Sequence, residues 1–214
     1  VRTTMIGDHH ASNCLVATAV GLAQGFDLPT IAAGLEAVST VPGRLDRIEC
    51  GQPFGVFVDY AHTPDALATV LDTLAEVTEG RVICVFGAGG DRDRDKRPAM
   101  GSAVARRADL AIITNDNPRG EDPAAIARQI LAGTDQADAK ADVAVELDRT
   151  RAIHRALALA ESGDCVLIAG KGHESFQLVG SERLPLDDRL IARSWLYNFG
   201  RSGSSNSPSG QVSN

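Results

Sequence analysis

Long apolar runs, excess positive charge and paired cysteines are all scarce in this sequence of 214 residues. A helix that crosses a bilayer needs roughly 20 consecutive apolar residues, and every apolar run here is far shorter. The opening residues, Val1-Arg2-Thr3-Thr4, do not resemble a secretory signal. The formal net charge of -7 argues against a general nucleic-acid surface, which needs clustered lysine and arginine. We therefore expect no membrane insertion and no nucleic-acid partner.

The four cysteines form no C-x-x-C pair. Cys84 and Cys165 lie inside apolar runs, so we expect buried free thiols and a reducing cytoplasm. No metal site is predicted, because His9 and His10 are adjacent and no third ligand follows at a familiar spacing. A phosphate-binding loop of the form G-x-x-x-x-G-K-[ST] is also absent.

What the sequence does contain is a regular alternation of strand-like and helix-like runs. It follows two helix-like segments within residues 13–38 and a Val-Pro-Gly break at residues 41–43. The predicted strands are residues 56–60, 82–86, 110–114, 143–146 and 166–169, and the predicted helices are residues 64–78, 98–107, 123–132, 149–160 and 189–199. This alternation predicts an α/β fold with a Rossmann-like open, mostly parallel sheet and helices on both faces. The Ser/Gly/Asn-rich end, residues 201–214, is predicted to be a disordered tail.

Polar side chains follow four of the predicted strands. Asp59, Tyr60 and His62 end the first strand, and the other clusters are residues 87–94, 115–119 and 170–174. Because parallel strands end at the same edge of a sheet, where ligands bind, we expect these clusters to share one site.

The charges at this edge suit a zwitterionic ligand such as an amino acid. Arg119 can bind a carboxylate, while Glu174 can bind an ammonium group. Arg92 is a further candidate; most charges at residues 93–97 are expected to be solvated. A nicotinamide site is the weaker alternative, because Gly87-Ala88-Gly89-Gly90 lacks the G-x-G-x-x-G spacing.

Four polar residues have open alternatives. His62 and His173 can each be structural rather than functional. Asp187-Asp188 can cap the final helix through its dipole.

The motifs, taken in order, resemble the Mur ligase family. They are Asn13 after Gly7, Pro42-Gly43-Arg44, Asp59-Tyr60-Ala61-His62-Thr63-Pro64, residues 87–92, Asp116-Asn117-Pro118-Arg119 and residues 170–174. The resemblance covers nearly everything except the tail. It implies a ligase of peptidoglycan synthesis that uses ATP to join an amino acid to a UDP-linked muramoyl peptide through an acyl phosphate.

The resemblance also implies roles for individual residues. On the ATP side, Asn13 would contact adenine, Asp59 the ribose and Arg44 the terminal phosphate, with His62 beside them. Arg44 would also be catalytic, by stabilising charge on the transferring phosphate. The residues expected to hold the incoming amino acid are Arg92, Asp116, Asn117, Arg119, Gly170 and Glu174.

The Asn-Pro-Arg form of the third motif goes, in this family, with meso-diaminopimelate. The second head of this amino acid carries a carboxylate that Arg119 can bind bidentately, whereas lysine offers only an ammonium group that Arg119 would repel. The expected substrates are therefore meso-diaminopimelate, ATP and the UDP-muramoyl dipeptide UDP-N-acetylmuramoyl-L-alanyl-D-glutamate.

By the same resemblance, residues 1–42 would end the central ATP-binding domain and residues 43–200 would form the amino-acid-binding domain. The phosphate loop and most ligands of Mg²⁺ would precede this region, so we expect the chain to be inactive alone. His10, Asp46 and Leu186 depart from the family's usual residues. The alternatives are a lysine-adding or other Mur-type ligase, or a non-catalytic Rossmann-like module that binds an amino acid.

Overall fold

The computed structural model describes residues 1–3, 5–135 and 138–203. It begins with two helices, α1 (Asp8–Ala23) and α2 (Leu28–Ala37), that pack mainly on each other. The Asp27 side chain caps α2 by accepting a hydrogen bond from the N–H of Thr30, and Pro29 lies in its first turn. No residue of α2 is buried.

The following elements alternate, as expected. The strands are β1 (Asp46–Arg47), β2 (Gly55–Asp59), β3 (Val82–Phe86), β4 (Leu110–Ile113), β5 (Asp142–Val145), β6 (Cys165–Ala169), β7 (Phe176–Val179) and β8 (Glu182–Pro185). The helices are α3 (Pro64–Ala75), α4 (Lys96–Ala105), α5 (Pro123–Leu131), α6 (Arg149–Leu159) and α7 (Asp188–Gly203). Each predicted strand and helix has a counterpart, while β1, β7 and β8 had no counterpart in the prediction.

Six strands form one sheet in the order β1-β2-β6-β3-β4-β5, in which only the short edge strand β1 is antiparallel. The side chains of successive β3 residues point to opposite faces of the sheet. Cys84 belongs to the core cluster formed with α3, α4 and α5, and Val85 belongs to the cluster formed with α6 and α7. The prediction of an α/β, Rossmann-like fold is therefore confirmed.

Proline and capping residues set the starts of the helices. Pro64 and Pro123 are first helical residues, and the side chains of Thr63 and Asp122 accept hydrogen bonds from backbone N–H groups of the first turn. At the other end of the chain, α7 runs to Gly203, three residues into the predicted tail. Residues 204–214 lie outside the described part.

Within the described ranges, every helix is too short or too polar to cross a bilayer.

Candidate functional site

A cleft of about 360 Å³ opens at the edge of the sheet where the parallel strands end. We call it the edge cleft. Its lining residues are Tyr60, His62, Gly89, Arg92, Asp93, Lys96, Asp116, Asn117, Arg119, Gly170 and Glu174. The structure thus brings together all six residues expected to hold an amino acid; their binding roles stay predictions.

One wall of the edge cleft is a closed hydrogen-bond network around Asn117. Lys171 Nζ donates to Asn117 Oδ1 at 3.1 Å and to Glu174 Oε2 at 2.9 Å. Asn117 Nδ2 donates to the same Glu174 oxygen at 3.0 Å. Burial alone would raise the pKa of Glu174, but these hydrogen bonds hold the pKa below its ordinary value. Glu174 is therefore ionised at neutral pH.

Arg119 is held on both sides by backbone. Its N–H donates to the carbonyl oxygen of Leu178 at 3.0 Å, and its own carbonyl accepts from Gly180 N–H at 2.7 Å. The φ of Arg119 is +52°, an uncommon left-handed value for a side-chain-bearing residue. Its Nη1 donates to the carbonyl of Gly90 at 2.8 Å. Among the described residues, Nε and Nη2 donate to no protein group, so this edge of the guanidinium can bind a ligand carboxylate.

Two glycines let the lining loops approach each other. A Cβ at Gly90 would collide with the carbonyl oxygen of Pro118, while Gly90 N–H donates to Asn117 O at 2.9 Å. Gly170 has φ +112°, and a Cβ there would lie 2.8 Å from Asp116 Oδ2. The edge cleft therefore requires glycine at both positions.

Arg97 anchors the loop that carries Arg92. The sequence suggested a solvated charge at this position, yet Arg97 is fully buried. It donates to both oxygens of Glu121 at 2.9 Å and to the carbonyl of Gly89 at 2.9 Å. Glu121 also accepts from Asp91 N–H at 2.6 Å. Arg92 itself is exposed, at the mouth of the edge cleft.

A second buried cation lies beneath the lining loops. Arg149 and Asp188 are both fully buried and form two hydrogen bonds of 2.8 Å. Arg149 also donates to the carbonyls of Asn115 at 3.2 Å and Ala169 at 2.9 Å, at the ends of β4 and β6. Asp188 is thus an ion-pair partner, whereas Asp187 has the predicted capping role and accepts from Arg189 N–H at 3.0 Å.

Two further cavities, of about 300 and 510 Å³, share Arg44. We call them the Arg44 clefts. The smaller one contains Asp59 and His62, and the larger one contains Asn13. The residues expected on the ATP side therefore lie along neighbouring cavities. The exposed Arg44 guanidinium lies 5.4 Å from the ring centroid of Tyr60, which also lines the edge cleft.

Asp59 has a structural function that sequence reasoning missed. Its two carboxylate oxygens accept from the N–H groups of Leu45 and Ala61, each at 2.7 Å. Leu45 has a φ of +43°. Asp59 thus fixes the turn that presents Arg44, and its contact with ribose stays a prediction.

His62 lies between the clefts, because it lines the edge cleft and the smaller Arg44 cleft. Its Nδ1 is 2.8 Å from the carbonyl oxygen of Tyr60, so Nδ1 must carry the hydrogen. In the neutral ring, Nε2 is then free to accept a hydrogen bond.

No group of three or more His, Cys, Asp or Glu side chains arranged to hold a metal ion occurs in the described ranges. The cysteines among these residues are free thiols. Burial raises the pKa of Cys165 to about 12, and burial raises that of Cys84 further, so neither is a reactive thiolate.

Comparison with known proteins identifies the family to which the chain belongs. A family model described as "Mur ligase, glutamate ligase domain" matches residues 43–172. A UDP-N-acetylmuramoyl-L-alanyl-D-glutamate--2,6-diaminopimelate ligase of Syntrophomonas wolfei subsp. wolfei is 47% identical over 192 residues, which are 90% of this chain and 39% of the relative. The ligase of the same name from Gloeobacter violaceus is 48% identical over 190 residues, 88% of this chain and 38% of the relative.

A solved structure of a ligase with this name has a TM-score of 0.72 and 37% identity, and the match covers 94% of this chain and 40% of that one. The chain thus spans about two fifths of the length of the curated relatives it matches. The family match itself runs through the parallel sheet and most residues that line the edge cleft. The chain belongs to the Mur ligase family.

Proposed function

We propose that the chain is the C-terminal portion of an ATP-dependent ligase that adds meso-diaminopimelate to UDP-N-acetylmuramoyl-L-alanyl-D-glutamate in peptidoglycan synthesis. One observation carries the proposal: Arg119 and Glu174 line the same cleft, so a cation and an anion face one ligand. The names of the relatives support this choice of substrates.

Specificity follows from the free edge of Arg119. Its Nε and Nη2 can bind the second carboxylate of diaminopimelate, while Glu174 accepts hydrogen bonds from an ammonium group. Arg92, Asp116, Asn117 and Gly170 complete the proposed amino-acid site. A lysine-adding ligase is disfavoured, because the side-chain ammonium of lysine would meet the Arg119 guanidinium.

The proposed ATP side comprises Asn13, Arg44, Asp59 and His62 along the Arg44 clefts. These residue types fit a nucleotide, since an exposed guanidinium is suited to a phosphate and an asparagine to a base. Arg44 would neutralise charge on the transferring phosphate, which is the main protein contribution to phosphoryl transfer. When bound, Mg²⁺ supplies further neutralisation, and we place its main ligands outside this chain.

We further propose that the chain has no ligase activity alone, because its sequence contains no phosphate-binding loop. Release of ADP by the purified chain, supplied with all three substrates, would contradict this.

Buried free thiols and the need for ATP support the expectation of a cytoplasmic location.

The test of the amino-acid site is calorimetric titration of the chain with meso-diaminopimelate and, separately, with L-lysine. We expect saturable binding of diaminopimelate only, and its loss in Arg119→Ala. The matched control is Arg128→Ala, which removes an exposed arginine of α5 that is 3.6 Å from Asp122. Tighter binding of lysine than of diaminopimelate would overturn the substrate assignment, and binding of diaminopimelate that survives Arg119→Ala would overturn the role of Arg119.

A further inference from the structure

Lys171 is fully buried and does not line the edge cleft, although its neighbours Gly170 and Glu174 do. Burying an ammonium group is costly unless its charge and hydrogens are compensated. The compensation comes from the two bonds to Asn117 and Glu174 and from the ring of Phe176, whose centroid lies 5.6 Å from Nζ. Lys171 therefore reaches the ligand site only through Asn117 and Glu174.

The Asn117 amide is almost fully used by the protein. Its Oδ1 accepts from Lys171 Nζ at 3.1 Å and from Leu178 N–H at 2.9 Å. Two donors at Oδ1 fix the orientation of the amide and occupy both lone pairs. Nδ2 donates one of its two hydrogens to Glu174, so only the second hydrogen is left for a ligand.

Glu174 has two unequal oxygens. Oε2 accepts from both Lys171 and Asn117, whereas Oε1 has no hydrogen-bond partner among the described residues. Glu174 is only partly buried and lines the edge cleft. The buried cation thus anchors one oxygen and leaves the other for a ligand.

We propose that Lys171 is a positioning residue of the edge cleft, which holds Glu174 through Oε2 so that Oε1 can accept hydrogen bonds from the ammonium group of the bound amino acid. The identity of this ligand rests on the proposed function. The anchoring of Glu174 does not, and it can be measured without any ligand.

Other charges also act on Glu174. The imidazole of His173 and the buried guanidinium of Arg149 also interact electrostatically with Glu174, and Asp116 is a nearby carboxylate. The charged residues lining the edge cleft around it are Arg92, Asp93, Lys96 and Arg119. Tyr60 and His62 line the cleft as well. Lys171 is the only one of these cations with a hydrogen bond to Glu174, so its removal should have the largest effect.

The first measurement is the carboxyl ¹³C NMR titration of Glu174 in the ligand-free chain and in Lys171→Met, which keeps the length of the side chain. We expect the pKa of Glu174 to be higher in the variant than in the unmodified chain, because the ammonium group no longer offsets the effect of burial. The same titration in both chains would overturn the proposal. Lys140→Met is the matched control, since it removes a half-exposed lysine that pairs with Asp109 at 3.0 Å, away from the cleft.

The second measurement is calorimetric binding of meso-diaminopimelate. We expect Lys171→Met to weaken binding by about tenfold or more, the usual value of a hydrogen bond to a charged group. Because Lys171 acts through Glu174, the double variant Lys171→Met/Glu174→Gln should bind no more weakly than Glu174→Gln alone. Additive losses would contradict the proposed role.

The double variant also guards against misfolding, because it replaces the Lys171–Glu174 ion pair with two neutral side chains and leaves no buried ammonium group unpaired. If Lys171→Met fails to fold, the comparison of the double variant with Glu174→Gln still decides between the two outcomes. Failure of the unmodified chain to bind meso-diaminopimelate would count against the proposed function, and the ligand-free titration would still judge the role of Lys171.

Discussion

At the scale of single residues, fully buried cations fix the loops of the edge cleft. The side chains of Arg97, Arg149 and Lys171 have no exposed surface, and each donates to at least one residue that lines or adjoins the cleft. A cation in such a position has no solvent to replace a lost partner, so the carboxylate beside it controls the geometry of the loop.

Glu121→Gln should destabilise the chain at neutral pH and much less in acid. Hydrogen bonds from Arg97, followed by that from the Asp91 N–H, lower the pKa of Glu121 from 4.5 to about 2. A carboxyl with a lowered pKa stabilises the folded chain above its unfolded pKa of 4.5, and this contribution is lost as the pH falls through about 2. The measurement is the free energy of unfolding in urea at a series of pH values.

Other carboxyl groups with lowered pKa, such as Asp164, weaken both chains in acid, so the informative quantity is the difference between the two chains. A difference that is equal in neutral and strongly acidic buffer would refute the role of the Arg97–Glu121 pair. Glu76→Gln provides the baseline, because Glu76 is exposed and forms no ion pair within the described residues.

At the scale of elements, the predictable parts are those that the hydrophobic core dictates. β3 was predicted with its observed bounds, because all of its residues are buried and turn residues flank it. The convergence at the edge cleft was also predictable, since parallel strands place their ends together.

The β7–β8 hairpin could not be predicted in this way. Its residues are half-buried or exposed, so they show no alternation of apolar and polar side chains. Yet this hairpin fixes Arg119 through the backbone hydrogen bonds with Leu178 and Gly180. The N–H of Leu178 also donates to Asn117 Oδ1. Its role in the site comes from backbone groups, which the identity of the residues does not reveal.

Buried charges were missed for a related reason. Arg97 and Lys171 stand in polar, glycine-containing stretches, where a solvated side chain is the ordinary expectation. Only contacts with residues distant in sequence, such as Glu121 for Arg97 and Asn117 for Lys171, reveal that they are buried. The sequence therefore predicted the ligand-facing residues better than those that hold them.

At the scale of the whole molecule, the chain has a well-packed part and a poorly covered one. Apolar side chains fill both faces of the sheet, whereas those of α1, α2 and their connection are largely exposed. The exposed apolar residues of this region are Leu15 at 71%, Val16 at 64%, Val20 at 56%, Leu22 at 49%, Phe26 at 57% and Leu28 at 59%. A cluster of this kind is unusual on a monomeric surface and favours association.

We therefore expect the isolated chain to bind a hydrophobic dye and to self-associate with rising concentration. Leu15→Lys/Val20→Lys should reduce both effects, because two charges would interrupt the apolar face of α1. The free energy of unfolding of the sheet should change by less than about 0.5 kcal/mol, as is usual for exposed positions. Sedimentation velocity, dye fluorescence and urea unfolding measure the three quantities.

Val77→Lys/Leu159→Lys is the matched control, since these residues are exposed by 56% and 42% but lie after α3 and at the end of α6, outside the cluster. Isolated exposed apolar side chains are ordinary and do not drive association. If the control reduced dye binding and self-association as much as the α1 variant, general charge rather than the apolar face would be the cause. If the unmodified chain stayed monomeric and bound no dye, the exposed face would have no influence on its behaviour in solution.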